Sequence, residues 1–200
     1  MNYRSLGVPP IVLLLAVSLA SLGGFARAAP EEKSEGKPEA THSHERCELH
    51  GGVVDMTQQH HFETVFVADG IRIYMYTAQQ DPMMIGKAIA GTATLKLKDG
   101  KTKEIRLTVD TPKKGEKAVY FCPMHTDVVQ MVPGVCPKCG GMTLFTQNRL
   151  YAKADLSKVD PGSLKAVIHI TGLKGPEAEV TFTETNAPPE PETAAPASKE

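Results

Sequence analysis

The chain has 200 residues and carries 22 Lys and Arg against 23 Asp and Glu, so its formal net charge is −1 at pH 7. A balance so close to neutral, without a concentration of basic residues, excludes the basic face that nucleic acids or anionic membranes require. Four cysteines are too few for a disulfide-built scaffold in a chain of this length. The sequence lacks a glycine-rich phosphate loop, a nucleophile elbow and an HExxH motif, and we therefore predict that the protein is not an enzyme.

The N-terminus has the pattern of an export signal. Arg4 supplies a positive charge, Ile11 to Leu22 is an apolar stretch too short to span a bilayer, and Ala26-Arg27-Ala28 is a small-x-small cleavage pattern. We expect residues 1–28 to be removed as a signal peptide. The rest of the sequence has no second long apolar run, so we predict a periplasmic or secreted protein without stable membrane insertion after cleavage.

Polar segments flank the central part of the chain. Residues 29–46 and 186–200 are rich in Glu, Pro, Ser and Ala, and they hold too few large apolar side chains to offset the entropy of ordering. We predict that both are disordered. The end of the first segment and the residues after it form a tract of possible ligands, which are His42, His44, Cys47 and His50. This tract is either a low-affinity metal collector or a polar linker with incidental histidines.

Residues 47–185 show the period-two alternation of β-strands, and no stretch has a sustained helical period. In 71–76, Ile and Met alternate with Arg and Tyr, and Asp69-Gly70 just before them is a hairpin-turn sequence. A second turn sequence, Asp99-Gly100, leads into one predicted strand over 105–109. Further alternating segments are 95–98, 166–170 and 180–182. We predict a mainly β protein with an antiparallel β-sandwich.

One segment, residues 120–144, combines cysteines and histidine in chelating pairs. Cys122 and His125 are separated by two residues, as are Cys136 and Cys139, and ten residues separate the two pairs. Each two-residue spacing lets both side chains converge on one ion, so the pattern predicts a tetrahedral Cys3His site. The segment has too much Pro and Gly for long strands, and a bound metal would supply its cross-link. We therefore predict a small, zinc-ribbon-like module inserted in the β-domain.

The residues of this segment resemble a known family. The sequences Tyr120-Phe-Cys-Pro-Met-His and Pro133-Gly-Val-Cys-Pro-Lys-Cys-Gly-Gly-Met resemble the heavy-metal-binding module attached to copper-exporting P-type ATPases and to periplasmic adaptors of metal-efflux pumps. Thr126 replaces the usual proline of that family, and one extra glycine precedes the second methionine. The positions that match the motif of the family are Cys122, Met124, His125, Cys136, Cys139 and Met142. The resemblance implies that these residues form the metal site.

The β-domain carries a weaker resemblance and a further set of histidines. The residues His50-Gly-Gly, His60-His-Phe-Glu and those of 70–76 are similar to small exported β-domains found beside metal-efflux genes. Neighbouring residues of a strand point to opposite faces, so His60 and His61 should not bind one ion side by side. We expect one of them, for example His60, to join a site with His50, and the other to be solvated.

Three sulfur ligands and an imidazole suit Cu(I) or Zn(II), and nearby methionines favour Cu(I). We expect an exported heavy-metal-binding protein that buffers or delivers such an ion, with a metal-efflux component as its possible partner. Two alternatives stay open. The site is a structural zinc knuckle in a scaffold or interaction protein, or Cys136 and Cys139 form a thiol-disulfide redox pair.

Overall fold

The computed structural model describes residues 48–187, and within this range the regular structure is all β. The predicted signal peptide, the leader with His42 and His44, Cys47, and all but the start of the predicted tail lie outside the described residues. No helix in the described range is long and apolar enough to cross a membrane. The fourteen strands are β1 (Val53–Met56), β2 (His60–Val67), β3 (Gly70–Thr77), β4 (Ala90–Leu97), β5 (Thr102–Arg106), β6 (Thr108–Asp110), β7 (Tyr120–Cys122), β8 (His125–Gln130), β9 (Val135–Cys136), β10 (Met142–Thr143), β11 (Phe145–Thr146), β12 (Arg149–Lys153), β13 (Leu164–Thr171) and β14 (Glu179–Thr185).

Two antiparallel sheets form the main domain. The first has the strand order β1-β2-β3-β12-β6, and the second has the order β14-β13-β4-β5. Both predicted hairpins are confirmed, since the turn at Asp69-Gly70 joins β2 to β3 and the turn at Asp99-Gly100 joins β4 to β5. One hydrophobic core takes alternate side chains from both sheets. Its fully buried members include Phe62, Ile71, Ile73, Met75, Ala93, Leu150, Leu164, Ala166, Ile168 and Ile170.

The continuous strand predicted over 105–109 is wrong. β5 ends at Arg106 in the four-stranded sheet, and β6 begins at Thr108 in the five-stranded sheet. Leu107 lies between them with its side chain buried, and its N–H donates to the carbonyl of Gly91 at 2.9 Å. The alternation of apolar residues continues through the crossing, because a strand that changes sheets still has to bury one side chain in the shared core. Val109, beyond the crossing, is exposed.

The end of the domain extends one residue past the predicted boundary. Asn186 accepts a hydrogen bond from the N–H of Leu164 on its side-chain oxygen at 2.9 Å, and its own N–H donates to the Leu164 carbonyl at 3.1 Å. Its side-chain amide donates to the carbonyl of Asp160 at 3.0 Å. Asn186 therefore belongs to the folded domain rather than to the polar tail.

The cysteine-containing segment is an insertion between two paired strands of the five-stranded sheet. β6 precedes it and β12 follows it, and these strands pair directly with Asp110 opposite Arg149. Inside the insertion, β11, β7 and β8 form a three-stranded sheet, and β10 pairs with β9. Its buried centre is separate from the main core and consists of Cys122, Cys136 and Leu144. The insertion is thus a module with its own small core, attached at one edge of the sandwich.

Candidate metal centre

Two tight β-turns present the predicted ligands. Cys122 ends β7 and His125 begins β8, and the two residues pair across the turn, with a register irregularity after Phe121. Cys136 ends β9, and Cys139 lies in the turn that leads to β10. Each pair with two-residue spacing therefore sits at the tip of a short hairpin. The small core behind the hairpins holds the two tips against each other.

The four ligand atoms already form a compact group. All lie within 4.8 Å of one another. The Sγ of Cys122 is 3.5 Å from the Sγ of Cys139, and the Nδ1 of His125 is 3.1 Å, 3.6 Å and 3.7 Å from the sulfurs of Cys139, Cys136 and Cys122. Ligands of one tetrahedral ion with bonds of about 2.0–2.3 Å lie roughly 3.5–3.8 Å apart. The donor set and its spacing fit a single soft or borderline ion, with His125 contributing Nδ1.

The metal-free thiols share their protons unequally. Burial opposes ionisation of Cys122, but contacts with the Met124 N–H, the His125 ring and the other two thiols outweigh it and lower the pKa of Cys122 to about 6. Burial, together with the contacts to Cys122 and Cys136, raises the pKa of Cys139 to about 12. The Cys122 thiolate thus forms readily, and ionisation of Cys139 beside it is strongly disfavoured. A cation at the centre of the group would remove this conflict.

Within each pair, one ligand is more accessible to solvent than the other. Cys122 and Cys136 are fully buried, whereas His125 and Cys139 are half-buried. Cys122 also lines a cavity of about 350 Å³ between the module and the loop after β3, which brings Met83 and Met84 to the same cavity. The site therefore has a buried sulfur side and a side that solvent or a partner can reach.

The extra glycine before Met142 has a structural role. Gly140 and Gly141 have φ values of 67° and 104°, a left-handed region that residues with a side chain rarely adopt. The Gly141 N–H donates to the carbonyl of Cys136 at 3.3 Å, and the chain then pairs Met142 with Cys136. The two glycines together close the turn that carries Cys139. After this longer turn, Met142 still lies directly opposite Cys136 in the β9–β10 pair.

The two methionines lie beside the four-residue group rather than within it. Met142 packs, half-buried, against the small core of the module. Met124 lies in the turn between Cys122 and His125, and its side chain is 64 % exposed. Their role as additional sulfur ligands stays a prediction.

Three consecutive polar residues after the module, which the sequence analysis did not single out, attach it to the sandwich. The Gln147 amide donates to the carbonyl of Met75 at 2.9 Å, and Asn148 pairs with both the N–H and the carbonyl of Ile85 at 2.7 Å and 2.9 Å. Arg149 is almost fully buried and forms an ion pair with Asp110 at 2.8 Å. The sequence shows the polar run Gln-Asn-Arg directly before an apolar strand, but it does not reveal the distant partners of these side chains.

The secondary histidine candidates do not form the predicted shared site. The Nδ1 of His60 contacts Glu177 at 2.9 Å, and the ring faces Phe62 on the core side of β2. His50 instead contacts Glu63, which points to the opposite face of β2. The expectation that one residue of the His60-His61 pair is solvated is also wrong, since they are only 8 % and 6 % exposed. The outer face of this sheet is covered, so alternation along β2 does not mean exposure.

Comparison with known proteins gives a match for the module. Residues 119–145 match the family model described as a heavy metal binding domain. No curated protein and no solved structure matches the chain. The match covers the inserted module with all four clustered Cys and His residues, so the module is similar to a heavy-metal-binding domain. It does not extend to the β-sandwich.

Proposed function

We propose that this is an exported protein that binds Cu(I) or Zn(II) and buffers the ion or delivers it to a metal-efflux system. The observation that carries the proposal is the convergence of Cys122, His125, Cys136 and Cys139, whose ligand atoms lie within 4.8 Å of one another in a module similar to heavy-metal-binding domains. Three sulfurs and one imidazole nitrogen are ligands that both ions accept. Met124 and Met142 would bias the site toward Cu(I).

Access to the site supports exchange of the ion. The half-buried positions of His125 and Cys139 leave one side of the site open to an incoming ligand. The module also carries five exposed large apolar side chains, which are Met124, Met131, Val132, Val135 and Phe145. These side chains are the candidates for contact with the partner that receives the ion, because apolar patches on a protein surface often mark interaction sites.

The principal alternative is a structural zinc knuckle. It is favoured by the burial of Cys122 and Cys136, which together with Leu144 form most of the small core of the module. In that case the ion would be part of the fold of the module, as in small zinc domains. The two functions share their ligands and differ in what happens when the ion leaves.

The metal content of the purified protein tests the site. We expect about one ion per chain bound by the module, lost in Cys136→Ala/Cys139→Ala and kept in Val132→Ala, a change in the same module at an exposed position outside the ligand group. Equal metal in the wild type and in the double variant would refute the assignment. Oxidation of Cys136 and Cys139 to a disulfide that turns over with a thiol donor would instead support the redox alternative.

A chelator challenge separates delivery from structure. For delivery, we expect the ion to leave rapidly while the circular dichroism and the exchange protection of β7–β11 stay unchanged. For a structural role, loss of the ion and unfolding of the module should occur together. The export and efflux parts of the proposal rest on the N-terminal pattern and on the family resemblance. Fractionation of cells, and the metal sensitivity of cells lacking the gene, test them.

A further inference from the structure

Two carboxyl groups meet where an edge of one sheet faces an edge of the other. Asp55 lies on β1, an edge strand of the five-stranded sheet, and Glu184 lies on β14, an edge strand of the four-stranded sheet. Asp55 pairs with Phe62 and Glu184 pairs with Ala166, both core residues, so both carboxyl groups point between the sheets. The two side chains are in hydrogen-bonding contact. An acidic pair therefore joins the two edge strands.

Burial makes this contact unfavourable unless its charge is balanced. Glu184 is 8 % exposed and Asp55 is half-buried. Two ionised carboxylates in contact repel each other, and the repulsion is stronger where water is excluded. In the described part of the chain, no Lys, Arg or His forms an ion pair with either carboxyl group. The negative charge must therefore be balanced by a proton or by a bound cation.

A buried hydroxyl without a partner lies on the strand next to Asp55. Thr64 follows Phe62 by two residues on β2, so its side chain also points inward, and β2 is paired with β1. Thr64 is 1 % exposed, and within residues 48–187 neither its Oγ1 nor the Oδ2 of Asp55 has a hydrogen-bond partner. A buried polar atom without a partner is destabilising and is rare in native structures. Two such oxygen atoms at one edge indicate a ligand that contacts both.

Contacts between β2 and β14 bring Thr64 and Glu184 to the same place. At the start of β2, the Nδ1 of His60 is 2.9 Å from a carboxylate oxygen of the segment just before β14. Further along, the rings of Phe62 and Phe182 stack with a centroid distance of 5.2 Å. The two strands therefore run in the same direction across the core. The next inward-facing residues, two positions further along each strand, are Thr64 and Glu184.

We propose that Asp55, Thr64 and Glu184 form a binding site for a hard divalent cation, Ca(II), between the edges of the two sheets. Carboxylate and hydroxyl oxygens suit Ca(II), whereas Cu(I) prefers sulfur. Ca(II) fits better than Mg(II), because it accepts irregular geometry and loses its water more readily. A divalent cation balances both carboxylates, and water completes its coordination on the partly exposed side of Asp55. The ion ties β1 to β14 and is distinct from the soft ion proposed for the module.

Titration of the purified protein with Ca(II) tests the site. We expect one equivalent by isothermal titration calorimetry and a higher thermal midpoint in the presence of the ion. Asp55→Asn and Glu184→Gln should each weaken binding by at least about tenfold, because each removes a charged ligand. Glu104→Gln removes an exposed carboxylate from the outer face of the four-stranded sheet and should leave binding unchanged. No saturable binding in the wild type, or equal affinity in Glu104→Gln and Glu184→Gln, would overturn the proposal.

Thr64→Val tests the site without changing its charge, and it serves if a carboxylate variant does not fold. It keeps the shape of the side chain and should weaken Ca(II) binding about three- to tenfold, because a neutral ligand is lost. Without the ion, its thermal midpoint should not fall, since the hydroxyl has no partner there. Unchanged Ca(II) affinity in Thr64→Val would contradict Thr64 as a ligand. Cys136→Ala/Cys139→Ala should keep the Ca(II) equivalent, so failure of the module site and failure of this site are distinguishable.

Discussion

The shifted pKa values of two cysteines in the module predict how metal binding at the proposed site depends on pH. In the metal-free protein the pKa of Cys139 is raised to about 12, so its thiol stays protonated throughout the working range of pH. A Cys ligand binds metal as the thiolate, so binding must release this proton. The apparent affinity should therefore rise by at least about tenfold for each unit of pH between 7 and 9, which is the factor for one proton.

The pKa of Cys122 predicts a further change in metal affinity at lower pH. It is lowered to about 6, so this thiol is already ionised at pH 7 and releases no proton there. Below pH 6 it is protonated in the metal-free site, and the affinity should fall more steeply with decreasing pH. Protonation of either thiol weakens metal binding, because protons compete with the metal for sulfur.

Competition titrations with a chelator of known pH dependence measure this profile, and a pH indicator in weakly buffered solution counts the protons released. The matched control is Cys139→Ser, which keeps the neighbouring ligands and removes the group whose proton is counted. Its slope between pH 7 and 9 should be lower by about one proton. An affinity independent of pH in the wild type, or release of no proton at pH 8, would refute the assignment of Cys139 as a ligand.

Three further predictions concern the scaffold. Burial and the contact with Asp55 raise the pKa of Glu184 to about 8. The protonated carboxyl therefore stabilises the fold fully below its ordinary pKa of 4.5, and this stabilisation is lost as the pH rises through 8. Between pH 6 and 9 the free energy of urea unfolding should fall by up to a few kcal/mol in the wild type and change little in Glu184→Gln. Arg149→Met leaves the partly exposed carboxylates of Asp110 and Glu116 without their shared buried partner. It should lower the free energy of unfolding by about 1–3 kcal/mol, measured by denaturant titration. An unchanged free energy of unfolding would contradict the role of Arg149 in attaching the module to the sandwich. In Gly91→Ala the new Cβ would lie 2.1 Å from a backbone carbonyl oxygen of β13, so β4 and β13 must separate. We expect the amide hydrogen-exchange protection of this strand pair to fall. Unchanged protection would contradict the register of the two strands.

Much of the fold was predictable, because period-two alternation and turn sequences are local. The hairpins at Asp69-Gly70 and Asp99-Gly100 occur where their sequences place them. The change of sheet at Leu107 was missed, because its apolar pattern is the same whether the chain continues in one sheet or crosses to the other. The burial of His60 and His61 was missed for a different reason, since it depends on segments that are distant in sequence.

The amino-acid sequence by itself determined the four residues that converge in the module. Cys122, His125, Cys136 and Cys139 were identifiable because a two-residue spacing in a turn brings two side chains together whatever surrounds them. Only the tertiary structure decided which nitrogen of each histidine is available, because that depends on contacts between distant segments. His125 turns Nδ1 toward the sulfurs, whereas Glu63, thirteen residues from His50 on another strand, occupies Nδ1 of His50 and leaves Nε2. The chemistry of a ligand is local in sequence, but its orientation depends on packing.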